Sequence, residues 1–209
     1  MVAIATRYLR LIGFLGLVGV LALVAARPSW AALADGLAAY DDGDYLAAYR
    51  ELRPLAAAGD PTAQHALARM FFAGQGVPRD AVAAMSWERK AADSGGAAAQ
   101  LDLATRYENG IDVPLDPAEA AKWYRLAAEQ SVPVAQYRLG LLYFTGIGVA
   151  QDLVTAHMWL NLAAAKLPPG DVRNAVASAR DAVAAKMSAT QVKDAQGRAR
   201  DWKPTGRSP

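Results

Sequence analysis

Apolar and small side chains recur at helical spacing through the middle of the chain, and glycine interrupts the runs. Residues 59–94 carry two such apolar faces, each with the period of an amphipathic helix. The first face holds Ala63, Leu67 and Phe71, and the second holds Ala84, Trp87 and Ala91. Gly74 lies between them, and glycine accepts the left-handed backbone conformation that ends a helix. The pattern therefore predicts a helix, a turn and a second helix.

Polar residues indicate where the predicted helices begin. Asp60, which precedes a proline, and Asp80 can each cap a helix, because a short acidic side chain accepts hydrogen bonds from the free N–H groups of the first turn. The second block has the stronger signal, since Asp116 is followed by proline at the first helical position and by glutamate at the third. Val132 takes the cap position in the third block, so we expect its first helix to be capped less well. Asp112 replaces the second glycine of the turn and tolerates a positive φ better than most residues.

The whole pattern recurs with a period of 36 residues and no insertion. Trp87, Trp123 and Trp159 hold this spacing. Other positions that keep one residue type in all three copies include Ala63, Ala99 and Ala135; Leu67, Leu103 and Leu139; Gly74, Gly110 and Gly146; Val77, Val113 and Val149; Asp80, Asp116 and Asp152; Ala84, Ala120 and Ala156; and Ala91, Ala127 and Ala163. A period of this length indicates a stacked array, in which each unit is too small to bury its own apolar face and packs it against its neighbours.

Three full repeats are assigned to residues 59–94, 95–130 and 131–166. Residues 35–58 are interpreted as a degenerate leading repeat, because alanine and aspartate fall one period before their counterparts in the first full repeat. Pro54 lies inside the second predicted helix of this leading unit. We expect it to kink or shorten that helix, since proline cannot donate a backbone hydrogen bond.

The repeat pattern ends after the third full unit. Residues 167–202 predict two C-terminal capping helices, one over 171–187 and one from 188 to about 200. Ser188 begins a capping-box sequence for the second of these helices. Charged residues along both helices supply the polar outer face that the terminal unit of an array needs. Residues 203–209 are expected to be disordered.

Residues 1–34 have the order of a secretory signal peptide, namely a basic start, an apolar run and small residues. The uncharged run over 11–26 is about 16 residues long, short for a membrane span that needs ~20. Cleavage is predicted after the small-x-small sequence from Ala32 to Ala34, with Ser29 to Ala31 as the alternative. An uncleaved anchor is the rival interpretation. In both cases the body of the protein is expected to be exported, periplasmic or secreted, and membrane contact is expected only if the segment stays uncleaved.

Charge and cysteine content narrow the function classes. The formal net charge is +2, but residues 1–34 hold three of the basic residues and no acid, which leaves 19 basic against 20 acidic residues. Nucleic-acid binding through bulk charge is therefore not indicated. The chain has no cysteine, which excludes a disulfide framework and thiolate metal sites.

Signals for catalysis, metals or cofactors are weak. The two histidines, His65 and His157, have no ligand-type residues at close sequence spacing, and each is interpreted as an ordinary helix-surface or groove residue. Neither Ser-x-x-Lys nor Gly-x-Ser-x-Gly occurs. The paired glycines of the turns are interpreted as helix ends rather than phosphate loops, and the aspartate series at 80, 116 and 152 as caps rather than a calcium site. No catalytic residue, metal ligand, cofactor or small-molecule substrate is predicted.

The combined pattern, A-x3-L-[GA]-x2-[YF]-x2-G-x-[GD]-V-x2-D-x3-A-x2-W-x3-A-A, resembles the Sel-one-like repeats, relatives of the tetratricopeptide repeats. It runs over residues 63–92, 99–128 and 135–164, about half of the chain. The resemblance implies an all-α fold, a right-handed α-solenoid of helix-turn-helix units, used for protein–protein contact. It also implies that the first helix of each unit lines the concave side.

Transferring that concave side by spacing gives a stripe of aromatic, aliphatic and charged residues. The candidate partner-binding residues are His65, Arg69, Phe72, Leu101, Tyr137, Leu141 and Phe144, with Thr62, Thr105, Glu108 and Val134 beside them. An exposed mixed groove of this kind can hold an extended peptide or a helix. The alternative is that Phe72, Leu141 and Phe144 simply pack under the next unit.

Three functions are compatible with these features. The first is a non-catalytic scaffold or adaptor outside the cytoplasm that binds a protein or peptide. The second is an enzyme acting on cell-wall or β-lactam substrates. Some cysteine-rich relatives have been linked to that activity, but their disulfide-bonded framework is missing from this chain. The third is a membrane-tethered envelope assembly factor with an uncleaved N-terminus.

Overall fold

A computed structural model describes residues 28–205, which form ten α-helices and no strand. The helices are α1 (Ser29–Asp41), α2 (Tyr45–Ala57), α3 (Pro61–Ala73), α4 (Ala81–Asp93), α5 (Ala97–Asn109), α6 (Pro117–Glu129), α7 (Pro133–Thr145), α8 (Leu153–Lys166), α9 (Asp171–Ala184) and α10 (Ala189–Asp201). Across this part of the chain, none of the helices combines the length and the apolar character needed to cross a membrane. The predicted all-α class is confirmed.

Helices pack in chain order as a series of hairpins. Each helix from α1 to α8 contacts the next one along the chain, and α10 returns to pack against α8. The first helices of repeats 1 and 2, α3 and α5, also contact each other directly. The array is an α-solenoid of three full repeats with a leading hairpin before them and two capping helices after them.

Local sequence signals determine where the repeat helices begin and end. The aspartate side chains that accept a first-turn N–H are Asp60, Asp80, Asp116 and Asp152. The first helices of the three repeats each end on a glycine in the left-handed conformation, at Gly74, Gly110 and Gly146. Asp112 adopts a φ of 58°, and Val132 provides no side-chain cap. These predictions are confirmed, because each depends on residues adjacent in the sequence.

The leading hairpin differs from prediction at both of its helices. Helix α1 begins at Ser29, six positions before the predicted unit boundary, and includes the predicted cleavage sequence. Helix α2 continues through Pro54 to Ala57 and has 13 residues, the same length as its counterparts, so the expected shortening is wrong. Pro54 has no N–H to donate to the carbonyl one turn earlier, but its own carbonyl accepts a hydrogen bond from the N–H of Ala58 at the helix end.

The C-terminal segment is more ordered than predicted. Helix α9 ends at Ala184, and α10 has the predicted capping box between Ser188 and Gln191. After α10, Trp202 packs edge-to-face on Trp159 with ring centroids 5.8 Å apart. The N–H of Thr205 donates to the carbonyl of Glu129 at 3.0 Å, so the disorder expected from residue 203 onward is wrong for 203–205. Residues 206–209 and 1–27, with most of the proposed signal peptide, lie outside the described residues.

Small side chains form most of the interior. The alanines that recur at the repeat spacing on both helices have no exposed surface, and they let neighbouring helix backbones approach closely. These residues are Ala63, Ala99, Ala135, Ala84, Ala120, Ala156, Ala91, Ala127 and Ala163. Leu103 and Leu139 fill the space between them in the central cluster, and Leu67 does so in the N-terminal one. The interior is therefore shared between repeats, as the period predicts.

The repeated tryptophans do not all have the same surroundings. Trp123 and Trp159 are 7% and 6% exposed, within the central cluster. The guanidinium of Arg89 lies over the Trp123 ring, 5.4 Å from its centroid. Trp87 is only partly buried, against the N-terminal cluster. The prediction that the indoles fill inter-repeat space holds fully for the second and third repeats.

A repeated glutamine joins each repeat to the preceding helix. Gln64, Gln100 and Gln136 follow the period of 36 residues, directly after the recurring alanines, and all three are buried. Their amide nitrogens donate to the carbonyls of Ala56, Ala92 and Ala128 at 3.0, 3.0 and 3.1 Å. These carbonyls lie in the last turn of the preceding helix and each also accepts a backbone N–H from the turn that follows, so the glutamine adds a second hydrogen bond that links two repeats. The sequence analysis missed this contact although its spacing is visible in the sequence.

We predict that Trp123→Ala lowers the free energy of unfolding by about 3–5 kcal/mol, because it opens a cavity in the central cluster. Val82→Ala is the control: Val82 is 83% exposed, and its truncation should change stability by less than about 0.5 kcal/mol. Chemical denaturation of both variants measures the difference. Equal stabilities would contradict the assignment of Trp123 to the shared interior.

Gly148→Ala is predicted to destabilise the contact between the third repeat and the second. The φ of Gly148 is 71°, and an added Cβ would lie 2.2 Å from the carbonyl oxygen of Pro117. Gly43→Ala is the matched control, because Gly43 has a φ of 82° but no atom within 4 Å of the added Cβ. A left-handed alanine costs roughly 1–2 kcal/mol in both variants. Denaturation should show a clearly larger loss for Gly148→Ala, and equal losses would show that the carbonyl contact is unimportant.

Candidate functional site

Side chains on α3, α5 and α7 form a continuous surface, which we call the concave face. The Arg106 guanidinium of α5 lies over the Phe72 ring of α3, 3.5 Å from its centroid. The Arg138 guanidinium of α7 lies 3.7 Å from the carboxylate of Glu108 on α5. These contacts join the first helices of successive repeats, as expected for the inner side of a curved array.

In the first repeat, the predicted residues divide between exposed and covered positions. Arg69 is exposed, and its guanidinium lies 5.1 Å from the centroid of the Tyr40 ring. Phe72 is half-buried beneath Arg106. His65 is mostly buried and is held by Glu88 of α4. Of these three predicted residues, Arg69 is the most exposed to solvent.

In the second and third repeats, the predicted aromatic and aliphatic residues mostly support packing. Leu101 packs against the central cluster. A C-terminal cluster of buried residues is formed mainly by Leu160, Val176 and Val183. Tyr137 and Phe144 pack against this cluster, and the Lys186 ammonium lies 4.9 Å from the centroid of the Phe144 ring. Leu141 is half-buried. Phe144 therefore packs under the next unit, as the alternative interpretation has it. Val134, at the start of α7, is exposed.

A histidine on the concave face is held by a buried carboxylate of α4. The Nδ1 atom of His65 lies 3.0 and 3.1 Å from the two carboxylate oxygens of Glu88. Glu88 is 1% exposed, and this burial raises the pKa of its carboxyl above the ordinary value. The hydrogen bond from His65 lowers the same pKa but does not cancel the effect of burial. Asp102 of α5 lies on the other side of the imidazole, with its Oδ2 4.0 Å from Nε2. Sequence reasoning could not find this group, because its members are separated by 23 and 14 residues.

The second repeat has a different polar group at the corresponding place. The Tyr124 hydroxyl donates to Glu108 at 2.6 Å and lies 3.2 Å from the hydroxyl of Thr105. Burial, followed by the hydrogen bond to Glu108, raises the pKa of this phenol, so it stays protonated at neutral pH. Tyr124 therefore acts here as a hydrogen-bond donor that positions a carboxylate.

His157 does not occupy the surface position expected from the sequence. It is buried, and its Nδ1 has no hydrogen-bond partner among the described residues. Burial lowers the pKa of its imidazole, and the nearby Arg180 acts in the same direction. His157 is therefore a neutral interior residue, and the interpretation as a surface or groove histidine is wrong for it.

Two cavities of about 480 Å³ lie on the opposite side of the repeats. One is lined by Val82, Met85 and Val113 among others, and the other has Ala118, Ala121 and Val149 at the equivalent positions one period later. Their recurrence at the repeat spacing shows that they arise from the way each turn packs on the preceding second helix. They are a consequence of stacking, so they do not compete with the concave face as a dedicated site.

Comparison with known proteins agrees with this architecture. The sequence profile of the Sel1 repeat matches residues 61–96, 97–132 and 133–166. No curated protein sequence matches the chain. Together the three matched segments cover about half of the chain.

Two solved structures have a similar fold. One is a protective antigen present in uropathogenic Escherichia coli strains and displaying an SLR fold, with 38% identity over 56% of this chain and a TM-score of 0.53. The chain spans only 25% of that antigen. The other is a Sel1 repeat protein from Oxalobacter formigenes, with 33% identity, a TM-score of 0.54 and coverage of 73% of this chain and 97% of its own. From the matched repeats and the helical array, the chain belongs to the Sel1 repeat family.

Proposed function

We propose that this chain is an exported, non-catalytic scaffold that binds a protein or peptide segment on its concave face. Sel1 repeats commonly serve as scaffolds for protein–protein interaction. The single observation that carries the proposal for this chain is that the first helices of all three repeats contribute to one continuous surface of mixed character. Arg69, Val134 and Arg138 expose charged and apolar groups along it.

The fixed positions of these side chains favour recognition of an extended or helical segment. Arg106 is held over Phe72 and is also bound to Asp112 at 2.6 Å, so the middle of the surface is already ordered. Ordering side chains in advance lowers the entropy cost of binding. A partner would contact a rigid central strip with more exposed residues at each end.

The polar groups on the concave face support binding better than catalysis. The imidazole of His65 is engaged by a buried carboxylate, and the Tyr124 phenol is held protonated. An enzyme of the acyl-transfer type needs a nucleophile within hydrogen-bond reach of a base. The Nδ1 atom of this imidazole and the hydroxyl of this phenol are each already bound to a carboxylate.

Export is proposed from the N-terminal sequence, and the leading hairpin is compatible with cleavage. Removal of residues through Ala34 would take Leu33 away from the N-terminal cluster. Gly36 would remain, close against the Leu52 side chain, so the crossing of α1 and α2 would be kept. Cleavage after Ala31 would leave Leu33 in place as well.

Intact-mass measurement of the protein from its native host should give a chain that begins at Asp35, or at Ala32 for the alternative site. Cell fractionation in the same experiment should place that species outside the cytoplasm. A full-length mass in a membrane fraction would favour the tethered alternative, and a full-length mass in the cytoplasm would contradict export.

The concave face can be tested by photocrosslinking in the native host. Phe144→Glu and Tyr137→Glu are poor probes, because both side chains support the C-terminal cluster and a buried charge would destabilise the fold. We therefore place a photoreactive phenylalanine at Val134, which is exposed on α7, and at Val82 as the control, exposed at 83% on α4. A discrete adduct is expected from Val134 alone.

A second substitution links the adduct to the proposed surface. Arg69→Glu reverses an exposed charge on the concave face, and Arg125→Glu does the same on α6. The Val134 adduct should fall at least several-fold with Arg69→Glu and stay unchanged with Arg125→Glu, with equal melting temperatures. Equal adducts from both probe positions, or an adduct insensitive to Arg69→Glu, would reject this face.

A further inference from the structure

One imidazole and two carboxylates meet at the junction of repeats 1 and 2. His65 lies on α3, Glu88 on α4 and Asp102 on α5, and one ligand-type atom from each lies within 4.8 Å of the others. Three separate helices hold these side chains, so the stacking of the repeats fixes their positions. Imidazole nitrogen and carboxylate oxygen are both donors that zinc accepts.

The repeat fold does not require polar residues at these places. The pair formed by His65 and Glu88 corresponds, one period later, to Leu101 and Tyr124, and in the third repeat to Tyr137 and Leu160. Burying a carboxylate is unfavourable unless it is paired, whereas the other two repeats stack without one. The packing of the array therefore does not account for the buried glutamate of the first repeat.

The orientation of the imidazole leaves a gap between two acceptors. When Nδ1 of His65 donates its proton to Glu88, Nε2 presents a lone pair toward the carboxylate of Asp102. The separation of Nε2 and Oδ2 is 4.0 Å, which exceeds a hydrogen bond of about 2.7–3.2 Å. Two donor atoms on one tetrahedral zinc ion lie ~3.3 Å apart, so a small rotation of the Asp102 side chain would close the gap to that separation. A cation between these two atoms satisfies both.

We propose that Nε2 of His65 and the carboxylate of Asp102 bind a divalent transition-metal ion, with Zn²⁺ as the representative. Glu88 does not ligate the ion. It accepts the Nδ1–H and so fixes the ring, the role a carboxylate commonly has behind a metal-bound histidine. The inference is independent of the proposed partner.

The surroundings of the gap fit such an ion. The Asp102 side chain is 49% exposed and can turn to bring its oxygen to the ~3.3 Å separation from Nε2 that tetrahedral zinc needs. The charge of the nearby Arg106 opposes a cation, but its guanidinium is bound to Asp112 at 2.6 Å, which offsets that repulsion. Water completes the coordination, because two protein ligands leave positions open.

Zinc titration of the full-length chain without an affinity tag tests the proposal. The chain has two histidines, so nitrogen NMR of the imidazoles separates His65 from His157, which serves as the internal control. Calorimetry should give one equivalent of Zn²⁺, and the His65 Nε2 resonance alone should shift. No binding at 100-fold excess of zinc, or an equal shift of both histidines, would overturn the proposal and leave an ion pair between protonated His65 and its carboxylates.

Three variants separate the roles of the residues. Asp102→Asn should weaken zinc binding at least ten-fold, and Glu88→Gln should weaken it roughly 10- to 100-fold through the loss of ring positioning. The double variant His65→Leu with Glu88→Tyr copies the pair of repeat 2. It should abolish zinc binding, and it removes the buried carboxylate together with its histidine partner, so no buried charge is left unpaired. Asp93→Asn, an exposed carboxylate at the end of α4, is the control and should bind as the parent does.

The melting temperature of each variant without metal shows whether it is folded. Asp102→Asn changes a half-exposed residue and keeps the buried pair intact, so it remains informative if the double variant proves unstable. Parent-like affinity in Asp102→Asn, or in a folded double variant, would contradict the site.

Discussion

Each repeat of this array depends on the next one to complete the packing and hydrogen bonding of its second helix. Alanines without exposed surface bring the helix backbones close, and the buried glutamine of the following unit satisfies a carbonyl in the last turn, as Gln100 does for Ala92. That carbonyl also accepts the N–H of Gly95, so the glutamine supplies a second hydrogen bond at the helix end, and this one crosses between repeats. The unit that folds is therefore the stack, and a single hairpin would leave both its apolar face and its helix end uncovered.

This dependence separates the side chains that hold the stack together from those that can vary. Positions occupied by alanine, leucine and glutamine at the repeat spacing form the contacts between units, so they keep one residue type in all three copies. The positions of His65 and Glu88 change chemistry from repeat to repeat, although they lie in the same helices. Polar chemistry on the concave face is thus added to a scaffold whose stability is supplied elsewhere. The scaffold can tolerate the buried pair because each of its members is hydrogen-bonded to the other.

The sequence predicted what depends on near neighbours in the chain. Asp116 and its helix, Gly146 in the left-handed conformation and the capping box at Ser188 are each determined by a few consecutive residues. The period then predicted the stacking, because identical units repeat identical contacts. The candidate stripe was predicted less well: transferring a face by spacing placed Arg69 at an exposed position, but it left open whether Phe144 is exposed, and the Lys186 side chain lies over its ring.

The repeat period could not predict contacts between units whose sequences differ. Thr205 reaches back to Glu129, and Asp102 approaches the imidazole of the preceding repeat, only because the curvature of the array brings those segments together. Neither contact has a counterpart one period away. In a nearly one-dimensional array, contacts between adjacent units dominate stability. A ligand held at the junction of the first two repeats would therefore stabilise those units first, and it would align the part of the concave face where Arg106 covers Phe72. Any coupling between such a ligand and a partner along the groove would then be carried by α3 and α5, the helices that contribute to both.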